Sequence, residues 1–161
     1  MLRRIDSLGR RVSQTLSLAV SLCLADYSFA NVCEHRLTEF RCVEYVRNYD
    51  GDTATFNIPG VHPLFGKNIS VRIKGIDTAE ARGRLDCERR SARTAKKLVE
   101  SVLRSAKTIE LKNVERDKYF RVLADVVADG RSLADILVKN RLAVFYDGGT
   151  KARINWCEFG G

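Results

Sequence analysis

No Cys-x-x-Cys pair occurs in the 161 residues, and the two histidines, His35 and His62, share no metal-ligand spacing, so nothing supports a zinc site. No repeat or low-complexity segment is present. The long apolar stretch at residues 16–25 has ten residues, about half of the ~20 that a membrane-spanning helix needs. Acidic residues are the minority: 20 of them against 28 basic ones leave a net charge of +8 and a pI near 9.5, which fits a polyanionic partner without proving one. An apolar fraction of 45% and a charged fraction of 30% are globular values and argue against large-scale disorder. The length suits one domain with a real core and is too short for two ordinary ones.

Residues 1–30 stand apart. Arg3, Arg4, Arg10 and Arg11 precede the apolar run, and Ser28-Phe29-Ala30 offers a small-x-small cleavage site, the pattern of a secretory signal peptide. A lipoprotein signal is disfavoured because Cys23 follows Leu22 rather than a small residue, and Arg10-Arg11 lacks the flanking pattern of twin-arginine export. The expectation is a cleaved signal at 1–30 and a domain at 31–161, secreted or periplasmic and with no stable membrane association after cleavage. Cleavage removes four arginines and two aspartates, leaving 24 basic and 18 acidic residues and a net charge of +6. Four cysteines remain: Cys33, Cys42, Cys87 and Cys157. An even number in an exported chain argues for disulfides, with three possible connectivities. The short spacing of Cys33 and Cys42 favours a small loop between them, which leaves Cys87 to tie down the chain end through Cys157.

Patterning predicts strands at 40–47, 53–58, 68–75, 107–114 and 119–128, with 61–67 as a loop. Between the third and fourth strands, Ala92, Ala95, Leu98, Val99, Val102 and Leu103 recur at three- and four-residue spacing, predicting an amphipathic helix from 87 to about 104. Its other face carries Arg89, Arg90, Arg93, Lys96 and Lys97, best read as solvated. Ser132 and Asp135 form a capping pattern for a second helix that packs Leu133, Ile136 and Leu137. Five strands with a helix after the third predict an α+β, mainly β, fold: a five-stranded OB-fold barrel with two or three packed helices.

Residues 71–80, VRIKGIDTAE, begin as a half-buried strand, bend at Gly75, and then set Asp77, Thr78 and Glu80 close together. Such carboxylates repel one another unless a cation offsets them. DGDT at 50–53 adds two more carboxylates, and DKYFR at 117–121 adds a second arginine to Arg72. Oxygen ligands for a hard cation, a spare carboxylate to activate water and two guanidiniums for phosphate read as a metal-assisted phosphoryl site.

With LADVVADGRSLADILVKNRLA at 123–143, these motifs resemble the staphylococcal nuclease-like, or thermonuclease, family over about 100 residues in the same order. The resemblance implies a monomeric, calcium-dependent endonuclease that hydrolyses DNA and RNA to 3′-phosphate products. It implies Asp52, Asp77 and the Thr78 carbonyl as Ca2+ ligands, with Asp50 supporting them from behind. It further implies Glu80 as general base, Arg72 and Arg121 as phosphate-binding catalytic residues, and Lys118 and Tyr119 as nucleotide contacts. Three positions depart from the family pattern: Ala79 stands where proline is usual, which predicts a less rigid loop, and Phe120 and Arg141 each replace a common glycine. A different nuclease site would use Asp77 with Glu110 and Lys112, but leaves DGDT and Arg121 without a role. An OB-fold module that binds nucleic acid without cutting it is the alternative from another functional class.

Overall fold

A computed structural model of the chain describes residues 33–159. The expected signal peptide therefore lies outside the described residues. In chain order the described elements are β1 (Glu44–Asn48), β2 (Thr53–Asn57), a short α1 (Pro63–Gly66), β3 (Ile69–Ile73), β4 (Ile76–Thr78) and α2 (Asp86–Ser105). After α2 come β5 (Ile109–Arg116), β6 (Val122–Ala128), β7 (Arg131–Ser132), α3 (Leu133–Lys139), β8 (Ala143–Phe145) and α4 (Trp156–Phe159). No helix among the described residues is long and apolar enough to cross a membrane.

Alternation of apolar residues with period two drives the main sheet. Ala54 and Phe56 on β2, Val71 and Ile73 on β3, and Ala124, Val126 and Ala128 on β6 all point into one core. The strand order is β1-β2-β3-β6-β5, antiparallel except for the parallel pair β3 and β6. Joining β3 in parallel to β6 requires a long crossover, and it contains α2. This is the OB-fold arrangement, mixed α+β with strands dominant. The barrel is not sealed by a continuous ladder. Across the seam, residues preceding β1 bond to β5: Phe40 N–H to Leu111 O at 2.9 Å and Val43 N–H to Ile109 O at 3.0 Å.

α2 follows the helical spacing read from its apolar residues. Ala95, Val99 and Leu103 enter the main core, while Arg90, Arg93, Lys96 and Lys97 are exposed. α3 begins at Ser132, whose Oγ accepts the Asp135 N–H at 3.2 Å. It ends in a Schellman turn, with the Arg141 N–H on Val138 O and the Leu142 N–H on Leu137 O, both at 3.0 Å. Arg141 then adopts φ +56°, and Phe120 adopts φ +61°. Both positions use the left-handed backbone that favours glycine, so the two departures from the family's glycines are departures at a backbone cost.

Sequence patterning missed the shortest elements. β4 and β8 pair only three residues each, α1 replaces part of the expected loop at 61–67, and α4 has four residues. α4 matters because it seats Trp156 against Ala79 and Ala92 in a second, smaller core. Ala79 is buried there, so packing from the chain end anchors the loop that was expected to be loose without proline. Two disulfides complete the fold: Cys33 to Cys42, and Cys87 at the start of α2 to Cys157 in α4. This is the connectivity that spacing favoured.

Two outcomes follow for stability. In the chain-entropy account a cross-link stabilises in proportion to the logarithm of the loop it closes, and the two bridges span 9 and 70 residues. Urea unfolding of Cys87→Ala/Cys157→Ala should show a loss of about 4 kcal/mol, against about 2.5 kcal/mol for Cys33→Ala/Cys42→Ala. Arg141→Gly should raise stability by about 0.5–1 kcal/mol, the left-handed penalty relieved less the entropy of an added glycine. A lower urea midpoint for Arg141→Gly would show that the Arg141 side chain contributes more than its backbone costs.

Candidate active site

The register of β2 on β3 sets Thr53 opposite Arg72, which brings the preceding Asp52 alongside the guanidinium. The backbone reinforces this, since Ile73 N–H donates to Asp52 O at 2.7 Å. Arg72 Nη1 then pairs with Asp52 Oδ1, while Nη2 donates to Asp77 Oδ1 at 3.1 Å and to Ile76 O at 3.2 Å. Asp52 Oδ2 accepts two further bonds, from the Thr78 hydroxyl at 2.9 Å and the Thr78 N–H at 3.2 Å. One guanidinium thus gathers the two carboxylates contributed by the DGDT turn and by β4. All three side chains are close to buried, with Arg72 at 10% exposure. Low exposure strengthens this attraction and makes the loss of either sign expensive.

The DGDT turn is itself held from behind. Asn48 is buried, and its Nδ2 donates to Asp50 O at 2.8 Å and to Lys96 O on α2 at 3.0 Å. Asp50 Oδ1 accepts the Asp52 N–H at 3.1 Å. Burial pushes the Asp50 carboxyl above its ordinary pKa, offset only in part by bonds from Thr53 and the charges of Arg72 and Lys96. Gly51 is required by space: a Cβ there would lie 2.7 Å from the Ala95 Cβ and 3.0 Å from Thr78 Cγ2. A larger residue would push the turn away from α2 and β4 together.

Arg121 sits on a second tight turn organised by Asp117. Asp117 Oδ1 accepts the N–H groups of Tyr119 at 2.8 Å and Arg121 at 2.9 Å, and Oδ2 accepts Arg121 Nε at 2.7 Å. Desolvation pushes the Asp117 carboxyl up, but these bonds outweigh it and hold the group below the ordinary range. The Arg121 guanidinium lies 5.5 Å from the centre of the Tyr119 ring and is half exposed. It is therefore held in place yet free to meet a ligand.

These groups converge on one cavity of about 320 Å³, which Asp50, Asp52, Arg72, Asp77, Glu80 and Arg121 all line. A neighbouring cavity of about 420 Å³ shares Arg72, Tyr119, Arg121 and Tyr146 with it and adds Lys118. All the catalytic, metal and nucleotide positions that the resemblance implies thus line one or the other of two cavities that share residues. Glu110 and Lys112 do not line either cavity. They form a separate ion cluster with Arg41 and Glu39, so E-x-K on β5 is not part of this site.

One residue of the site escaped the motif reading. Lys151, in the stretch between Tyr146 and α4, places Nζ 2.8 Å from Asp77 Oδ1 and 3.2 Å from Glu80 Oε1. Partial burial pushes its ammonium down, but the two carboxylates outweigh it and raise its pKa. It was invisible in one dimension because 71 residues separate it from Glu80.

Among the described residues, no three His, Cys, Asp or Glu side chains are grouped as a metal cage. Asp52 and Asp77 nevertheless reach the same guanidinium, and the donors here are all oxygen. Two carboxylates are oxygen donors of the kind a hard divalent cation takes, so the side chains present fit such an ion.

The model of the staphylococcal nuclease homologue family matches residues 70–155. The match spans Arg72, Asp77, Glu80, Arg121 and Lys151, while the DGDT turn lies before it. No curated protein matches the chain.

The burial contrast between the two arginines is testable by urea unfolding. Arg72→Met should cost about 3 kcal/mol, because it leaves nearly buried Asp52 without a cation and Asp77 with Lys151 alone. Arg121→Met, half exposed, should cost less than about 1 kcal/mol. Equal losses would show that Arg72 does not hold the site together.

Proposed function

The chain belongs to the staphylococcal nuclease homologue family, and on that premise we propose that it is an exported, calcium-dependent nuclease that hydrolyses DNA and RNA to 3′-phosphate and 5′-hydroxyl ends. The observation that carries this reading is the convergence of Asp52, Asp77, Glu80, Arg72 and Arg121 on one cavity. Two disulfides agree with an oxidising compartment, so a secreted or periplasmic location is part of the proposal. The net positive charge suits a polyanionic substrate, and a monomer suffices because one chain supplies every role.

Calcium held by Asp52, Asp77 and the Thr78 carbonyl would polarise the phosphodiester and offset its charge. Glu80, exposed at the cavity edge, accepts a proton from the attacking water or orients it. Arg72 and Arg121 donate to phosphate oxygens, and their planar forks stabilise charge that grows in the five-coordinate transition state. Asp50 holds the backbone of Asp52 in place. Lys118 and Tyr119 contact the nucleotide from the adjoining cavity, where the ring offers a stacking face.

Labelled single- and double-stranded DNA and RNA should be cut with calcium and left intact in excess chelator. If Arg121 acts on developing charge, Arg121→Ala should slow turnover at saturating substrate by about 10²-fold while changing affinity much less. Undiminished cleavage in chelator would remove the metal, and 5′-phosphate ends would rule out the assigned roles. A folded protein that binds nucleic acid and never cuts it would be a binding module.

A further inference from the structure

Asp77 Oδ1 carries two cationic partners at once, Arg72 Nη2 at 3.1 Å and Lys151 Nζ at 2.8 Å. The two are held very differently. Arg72 is nearly buried and is tied as well to Asp52 and to Ile76 O. Lys151 is half exposed, and its ammonium is held by Asp77 and Glu80. An ammonium and a divalent cation cannot both contact one carboxylate oxygen without strong repulsion, and the partner with the weaker hold and easier access to water is the one that leaves.

The chain places this ammonium deliberately close. Tyr146 N–H donates to Gly75 O at 2.9 Å, fixing the start of the terminal stretch beside the bend before β4. Its far end is fixed by buried Trp156 and by the bridge from Cys157 to Cys87. Lys151 therefore hangs on a strap anchored at both ends and reaches the two acidic residues that flank Thr78.

We propose that Lys151 is a built-in competitor of the divalent cation, occupying Asp77 and Glu80 until the metal displaces it and thereby setting the calcium concentration at which the site fills. The inference rests on the calcium reading above and adds its regulation. Displacement has a second consequence, because the ammonium that leaves Asp77 also loosens its hold on Glu80. Filling of the metal site and release of the base carboxylate from its ion pair are thus one event.

Calorimetric titration of calcium into the full-length folded protein tests this without any turnover. Lys151→Met should tighten calcium binding about three- to fivefold, the factor by which a half-exposed ion pair reduces the competent fraction. Lys151→Arg, which keeps a competing charge, should stay near the wild-type constant. Lys96→Met removes a nearby charge that acts on Asp50 and makes no bond to Asp77 or Glu80, and should change the constant less than about twofold. Thermal unfolding gives a second readout: Lys151→Met should lower the Tm without calcium and recover the wild-type Tm at saturating calcium, whereas a merely structural lysine would lower both. Equal constants for wild type and Lys151→Met, or an equal gain in Lys96→Met, would overturn the competition and leave the calcium reading standing. Absence of calcium binding in every variant would overturn both.

Discussion

The site depends on a single guanidinium. Arg72 is fixed by its place on β3, opposite Thr53, and from there it holds Asp52 of the preceding turn and Asp77 of the following strand. Without it, nearly buried Asp52 would lose its cationic partner and Asp77 would keep only half-exposed Lys151, and the link between β4 and the DGDT turn would weaken. The surrounding structure reads as support for that knot. Thr78 bonds the free oxygen of Asp52, Asn48 ties the turn to α2, and Gly51 lets the turn approach α2 closely.

The stable core and the reactive cavity are built from alternate sides of the same strands. On β3, Val71 and Ile73 are fully buried, whereas Arg72 between them opens toward the cavity. Apolar burial of the first pair positions the charge of the second to within the tolerance of a hydrogen bond. Arg121 is positioned in another way, by a five-residue turn closed on one aspartate. The consequence is a division of labour in which Arg72 is structural and chemical at once, while Arg121 is free to serve the ligand alone.

The chain end contributes more than its short helix suggests. Trp156 fills the space beside Ala79, and a disulfide fixes the same helix to the start of α2. A proline after Thr78 would restrain the loop through its own backbone. Here restraint arrives from contact with a distant segment, and the same segment carries Lys151 into the acidic cluster.

Much of this was legible in one dimension. Period-two patterning marks the main strands, 3.6-residue spacing marks α2, Ser132 marks the start of α3, and the motifs at 50–53, 71–80 and 117–121 name almost every polar group on the cavity, because these signals are local and each depends on residues a few positions apart. β4, β8 and α4 carried no such signal, since elements of three or four residues owe their form to the partners they meet. The pairing of Asp52 with Arg72, the burial of Ala79, the exclusion of Glu110 and Lys112 from the site, and the arrival of Lys151 were decided by tertiary structure alone. Each is a contact between segments far apart along the chain, and only the closing of the sheet and the docking of the terminal strap determine which of many possible charges meet.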